Sequence, residues 1–117
     1  MLLLNQLQRL KMTKVVNLNF EKYDVYIGRP GHGKDGYFGN KHPVDRYCPI
    51  CKKIHTRAEA IAAFKVDFYS RIENDKQYKQ RILALKDKVL GCFCKPGKCH
   101  GDIIAEFLNK DDKENKT

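Results

Sequence analysis

The stretch that decides the fold is KVLGCFCKPGKCHGDIIAEFLNK, residues 88–110. Its first seven residues form a short apolar run between charged residues and Pro96, a pattern typical of a buried strand. Gly97 then begins a turn, and the run from residue 100 predicts a final helix. The inward-facing side chains of that helix recur at helical spacing: Ile103, Ile104, Phe107 and Leu108.

Two further strands are predicted near the start of the chain. Residues 15–20 and 23–28 alternate between apolar and polar side chains and include β-branched residues, which favours strands. A loop of fifteen residues follows at 29–43, where four glycines and two prolines interrupt any regular element. A loop of this length in a small domain indicates a functional role.

Two helices are predicted between this loop and the last strand. Thr56 and Glu59 form a capping box that begins a helix over 57–72. A second helix is predicted over about 75–86. A strand that leads through helices to another strand forms a crossover unit, which prefers a parallel arrangement. The sequence therefore predicts a small three-layer α/β domain with a short, mostly parallel sheet.

The chain has 117 residues, which suits one domain. We expect an N-terminal extension at 1–13, a single α/β domain at 14–109 and a disordered tail at 110–117. Residues 1–11 are either a short appended helix or a stretch that precedes the natural start at Met12. No apolar run approaches the roughly 18 residues that cross a bilayer, and the N-terminus is a poor secretory signal. These features predict a cytoplasmic protein without membrane contact.

The charge distribution indicates an anionic partner. The formal net charge is +9, and residues 22–57 hold eight basic and three acidic side chains. A basic excess on loop-like sequence favours a nucleotide or nucleic acid as the partner. A merely solubilising surface is the alternative.

The candidate ligand site lies in two segments that follow predicted strands. Parallel sheets bind ligands beyond the carboxyl ends of their strands, and residues 28–36 and 94–102 emerge there. The unpaired N–H groups at the start of the last helix can hold an anion, and a glycine there leaves room for ligand oxygens. The candidate ligand-binding residues in these segments are Arg29, Lys34, Cys94, Lys98 and Gly101.

The second of these segments also holds the candidate catalytic residues, Cys99, His100 and Asp102. A thiol near a helix N-terminus with an adjacent histidine can act as a nucleophile. Asp102 could orient His100 or cap the helix. A structural thiol in a capped helix without a ligand is the alternative.

A second cysteine cluster predicts a zinc site. Cys48 and Cys51 form a CxxC turn, His55 follows four residues later, and His42 precedes the turn by six residues. This spacing is a common half of a zinc site. A local closure would use these four residues, and two unligated thiols in a loop are the alternative. A long-range closure would borrow a ligand from the other cluster, from among Cys94, Cys99 and His100.

Several segments together resemble one family, the uncharacterised domain of unknown function 4326, whose members are small phage and bacterial proteins. The resemblance runs from about Val15 to Leu108. It is carried by VYIGRP (25–30), FGN (38–40), TRAEAIAAF (56–64) and LGCFCKPGKCHGDIIAEF (90–107). One departure is Lys41, where the family tends to have proline.

The resemblance implies a Rossmann-like fold and a ligand site made of Arg29, Asn40, Arg57 and the turn at 99–102. It implies no reaction. The polar residues at two strand ends, the basic loops and the resemblance to phage proteins lead us to expect a nucleotide- or nucleic-acid-directed enzyme of a phage or bacterial accessory system. The alternative is a non-catalytic binder of a nucleotide, a phosphorylated signal or a nucleic acid, stabilised by zinc.

Overall fold

The computed structural model describes residues 12–31, 33–93, 95 and 97–114. Residues 1–11 of the predicted extension at 1–13 and the last three residues lie outside this part of the chain. Within it, the elements run in the order β1 (Lys14–Asn17), β2 (Val25–Tyr26), β3 (Tyr47–Cys48), β4 (Lys53–Ile54), α1 (Arg57–Asn74), α2 (Lys76–Leu83), β5 (Val89–Cys92) and α3 (Gly101–Glu114).

A short parallel sheet of three strands forms the centre of the domain. The order is β1-β5-β2, so the last strand in sequence lies between the first two. Gly91 of β5 pairs with Val16 of β1 on one side and with Tyr26 of β2 on the other. The predicted mixed α/β domain with a short parallel sheet is confirmed.

The first strand is shorter than predicted because Asn17 turns the chain. The side-chain oxygen of Asn17 accepts the N–H of Asn19 at 2.9 Å, and its carbonyl accepts the N–H of Phe20 at 3.0 Å. Such local bonds from an asparagine compete with the strand ladder.

An antiparallel hairpin made of β3 and β4 was not predicted. Tyr47 pairs with Ile54 and Cys48 with Lys53, so the hairpin encloses the CxxC turn. Strands of two residues are too short to leave an alternating pattern in the sequence.

The predicted capping box at the start of α1 is confirmed. The Thr56 hydroxyl accepts the N–H of Glu59 at 3.2 Å, and the Glu59 carboxylate accepts the N–H of Thr56 at 2.9 Å. Asp75 then separates α1 from α2, since its carboxylate accepts the N–H of Tyr78 at 3.1 Å. The last helix, α3, continues to Glu114, past residue 110 where the sequence predicted its end.

All three helices share one hydrophobic cluster with the sheet. Phe68 of α1 is central to it, because its ring lies 6.1 Å from the ring of Tyr78 in α2 and 5.4 Å from that of Phe107 in α3. Leu90 and Cys92 bring β5 into the same cluster. The alternate residue Gly91 faces the other way, where a side chain would collide with the ring of Tyr23.

Gly101 holds α3 against the sheet. A Cβ atom at this position would lie 2.5 Å from Cδ1 of Ile27 and 3.1 Å from Cγ1 of Val15. The prediction that Gly101 makes room for a ligand is therefore wrong. Its missing side chain lets the first turn of the helix approach the strands.

We predict that Gly101→Ala lowers the free energy of unfolding by about 1–3 kcal/mol through overpacking. Because the nearest atom is Cδ1 of Ile27, the added Ile27→Val substitution removes the collision. Chemical denaturation of the two single variants and the double variant measures the coupling. Strictly additive losses would contradict the close approach of α3 to the sheet.

Candidate metal centre and ligand cavity

The β3–β4 hairpin brings four predicted metal ligands together. One ligand atom each of His42, Cys48, Cys51 and His55 lies within 4.8 Å of all the others. The turn closes when the N–H of Lys52 donates to the carbonyl of Cys48 at 2.7 Å. The grouping is that of the predicted local closure, and a metal ion could occupy its centre.

The ring of His42 is oriented by a carboxylate that the sequence analysis missed. Its Nε2 lies 2.6 Å from Oδ2 of Asp67 on α1, and since a carboxylate accepts, Nε2 carries the proton. Nδ1 then presents its lone pair to the sulfurs of Cys48 and Cys51, each 3.5 Å away. At metal sites the nitrogen of a ligating histidine that does not bind the ion usually donates its proton to a carboxylate in this way, which fixes the ring.

His55 has no hydrogen-bond partner at either ring nitrogen among the described residues. Its side chain is buried, with 3% exposed. Buried polar atoms in native proteins nearly always have a partner, because an unsatisfied one costs about 1–3 kcal/mol. A ligated ion would satisfy one of these nitrogens.

The two thiols of the cluster differ in acidity. Burial favours the neutral thiol of Cys48, but hydrogen bonds to the backbone at Cys51 and Ile50 and to His42 outweigh it and lower its pKa to about 6. Burial and the neighbouring Cys48 raise the pKa of Cys51. One thiolate is thus available near neutral pH, and the thiolate is the form that binds metal.

A separate cavity of about 280 Å³ opens at the carboxyl ends of β2 and β5. It is bordered by the last residues of these strands, Tyr26 and Cys92, and by Ile61 of α1 and Phe93. The predicted site residues that line it come from both predicted loops and from α1: Arg29, Asn40, Arg57, Lys98, Cys99 and His100. Residues of the loop after β2 and of the turn before α3 thus border one cavity, as expected for two segments that follow neighbouring parallel strands.

Two of these residues hold the cavity wall in place. The guanidinium of Arg29 donates to the carbonyls of Asn40 and His42. The buried side chain of Asn40 donates to the carbonyl of Ala60 and accepts the N–H of His42, both at 2.9 Å. Arg29 and Asn40 were predicted as ligand-binding residues, yet these bonds use them as braces between the loop and α1.

Arg57, at the start of α1, and Lys98, in the turn before α3, are exposed cations that border the cavity. The Arg57 guanidinium donates to the carbonyl of Lys98 at 3.3 Å. Lys34, also predicted as a ligand residue, is not among the lining residues. Its ammonium lies 5.8 Å from the ring centre of Tyr23 and 5.2 Å from that of Tyr26. Cys94 falls outside the described residues.

Asp102 caps α3. Its carboxylate accepts the N–H of Cys99 at 3.2 Å and lies 2.5 Å from Nζ of Lys95. His100 is oriented instead by the carbonyl of Ile27, 2.6 Å from its Nε2. Of the two roles predicted for Asp102, orienting His100 or capping the helix, these bonds correspond to the cap.

None of the helices in the described part of the chain is long and apolar enough to cross a membrane. The cavity and the cysteine–histidine cluster adjoin at residues 40–42, since Asn40 lines the cavity and His42 belongs to the cluster.

Comparison with known proteins gives one family and one phage relative. Residues 9–110 match the model of Domain of unknown function (DUF4326). The uncharacterized 12.4 kDa protein in the nrdA-td intergenic region of Enterobacteria phage T4 is 35% identical over 100 residues, which is 86% of this chain and 81% of that protein. No solved structure matches the chain significantly.

We predict that Asn40→Ala lowers the free energy of unfolding by about 1–3 kcal/mol, because it leaves the buried His42 N–H without its partner and removes the bond that ties the loop to the Ala60 carbonyl of α1. The neighbouring exposed residue supplies the control, Lys41→Ala, which should change stability by less than about 0.5 kcal/mol. Urea denaturation compares the two. Equal stabilities would show that Asn40 does not brace the wall.

Proposed function

The chain belongs to the family of Domain of unknown function (DUF4326), and from that premise we propose that it is a zinc-stabilised domain that binds an anionic ligand of the nucleotide class. The observation that carries the proposal is the cavity at the carboxyl ends of β2 and β5. A Rossmann-like arrangement would use this edge of its sheet for a ligand.

The lining of the cavity suits the two parts of a nucleotide. Tyr26 and Phe93 form an edge-to-face pair with ring centres 6.2 Å apart, and the Phe93 side chain is 49% exposed. Aromatic rings of this kind stack with nucleobases. Arg57 and Lys98 supply the positive charge for a phosphate group.

The size of the cavity favours one nucleotide unit. Its volume of about 280 Å³ is just below the roughly 300 Å³ at which the usual range of small-molecule sites begins. A second depression of about 740 Å³ shares Arg29, Asn40, Val44 and Arg57 with it and adds the cations Lys41 and Arg46. A longer nucleic-acid strand could therefore continue from the cavity along this basic surface.

Zinc is the metal that fits the cluster of His42, Cys48, Cys51 and His55. Two sulfurs and two imidazole nitrogens form a closed zinc set with Zn–S near 2.3 Å and Zn–N near 2.0–2.1 Å. Such a tetrahedron has edges of about 3.3–3.8 Å, and the two 3.5 Å separations at Nδ1 of His42 agree with this. Four protein ligands leave no open position, so the ion would be structural.

We predict one zinc ion per chain in protein purified without chelator. Cys48→Ser and His55→Ala should each abolish stoichiometric zinc, and Asp67→Asn should lower zinc affinity about 10–100-fold. Cys92→Ser is the matched control, because this buried cysteine lies outside the cluster. Elemental analysis of the four variants is the measurement. Metal-free wild-type protein with a folded hairpin would refute the zinc site.

We predict that a nucleoside monophosphate binds the cavity and that Lys98→Ala weakens binding about tenfold, the value of one charge-assisted hydrogen bond. Calorimetry compares it with Lys79→Ala, which removes the same charge from α2. An oligonucleotide tested in parallel should bind more tightly and depend more steeply on salt if the strand continues past the cavity. Equal affinities of the two alanine variants would refute the cavity as the binding site.

A further inference from the structure

Two sulfur atoms meet at the inner wall of the cavity. Sγ of Cys99 lies 3.1 Å from Sγ of Cys92, and both residues are only 1% exposed. Both residues form the inner wall of the cavity, so a small molecule bound there lies next to them and reaches the sulfurs when the wall shifts. A disulfide bond is about 2.05 Å long, so a shift of about 1 Å would join the two sulfurs.

Cys99 is placed to be the attacking thiol of this pair. The carbonyl of Ile27 accepts the proton on Nε2 of His100 at 2.6 Å, which leaves Nδ1 unprotonated in the neutral ring. That nitrogen lies 3.6 Å from Sγ of Cys99 and can take its proton. The N–H of Gly101 points at the same sulfur from 3.3 Å, in the first turn of α3. A donated N–H and a helix N-terminus both stabilise a thiolate.

We propose that Cys99 and Cys92 form a dithiol site that reduces a small anionic disulfide entering the cavity. The Cys99 thiolate, having given its proton to His100, attacks one sulfur of the disulfide. The S–S bond of the disulfide breaks, and the leaving thiolate takes the proton from His100. Cys92 then loses its proton and attacks Sγ of Cys99, which releases the second small thiol with that proton. The protein is oxidised by two electrons and one disulfide becomes two thiols.

The charge of the cavity defines the class of disulfide. Arg57 and Lys98 border the path to the sulfurs, so a disulfide carrying carboxylates is favoured over one carrying ammonium groups. This inference goes beyond the proposed function, since it needs the cavity and its cations but does not need a nucleotide to be the ligand.

The test uses the full zinc-loaded chain with oxidised glutathione, which carries carboxylates, and with cystamine, which carries ammonium groups. Peptide mapping by mass spectrometry should find a disulfide between Cys92 and Cys99. Each rate is divided by the rate at which the same disulfide reacts with a free small thiol. On this scale oxidised glutathione should react at least about tenfold faster than cystamine. Lys98→Glu should reduce or reverse that preference while circular dichroism shows the fold unchanged.

The variants separate the roles of the two sulfurs. Cys92→Ser should accumulate a mixed disulfide on Cys99, and Cys99→Ser should leave Cys92 reduced. His100→Gln should slow the reaction. It should also remove from the pH profile of the rate the step that the imidazole contributes. Lys79→Ala on α2 is the control and should react like the wild type, and Cys94→Ser tests whether a third thiol takes part.

A disulfide that maps to other cysteines in the wild type would overturn the proposal, as would dependence on Cys94. Equal relative rates for the two disulfides would overturn the assigned substrate class. Because the wild-type map requires no substitution, a variant that fails to fold does not remove the test. Nucleotide affinity measured on the same samples is a separate result, so failure of one proposal is distinguishable from failure of the other.

Discussion

The position of His42 is the constraint on which both candidate sites depend. Its ring is fixed between Asp67 and the two cluster thiols. Its backbone N–H donates to Asn40, and its carbonyl accepts from Arg29. A single buried residue thus links the β3–β4 hairpin, Asp67 of α1 and the loop that follows β2. Buried polar networks of this kind are favourable only when every member has its partner.

The cavity is therefore built from two walls of different origin. Arg29 and Asn40 form one wall, and both are hydrogen-bonded to the backbone of His42 in the cysteine–histidine cluster. Cys99 and His100 stand on the other, where Gly101 lets α3 press against Ile27 and Val15. The same Ile27 contributes the carbonyl that orients His100. The residue on which α3 packs therefore also orients the histidine. The same packing places the sulfur atoms of Cys92 and Cys99 at the base of the cavity.

Much of this could be predicted from the sequence where the determining residues are close together in the chain. The capping box at Thr56 and the CxxC turn with its histidines are local patterns, and the structure has both. Asp67 was missed because it acts on His42 across 25 positions, and an acidic residue on an exposed helix face carries no distinguishing signal. Gly101 was misread for another reason. A missing side chain leaves room for a ligand or for a strand, and only the tertiary packing decides between them. Lys34 shows the same limit, since a loop cation serves a phosphate or an aromatic ring equally well.

The most direct test of this account is amide hydrogen exchange before and after zinc is removed by a chelator. The N–H of Lys52 reports on the hairpin turn, that of His42 on the brace to Asn40, and that of Ile27 on the sheet, where it donates to the carbonyl of Gly91. The account predicts that chelation lowers the protection of the Lys52 and His42 amides while the Ile27 amide stays protected. Added zinc should restore the protection of both amides together. If His42 stayed as protected as Ile27 while Lys52 was released, the cluster would fold independently of the cavity wall, and the central claim would be wrong.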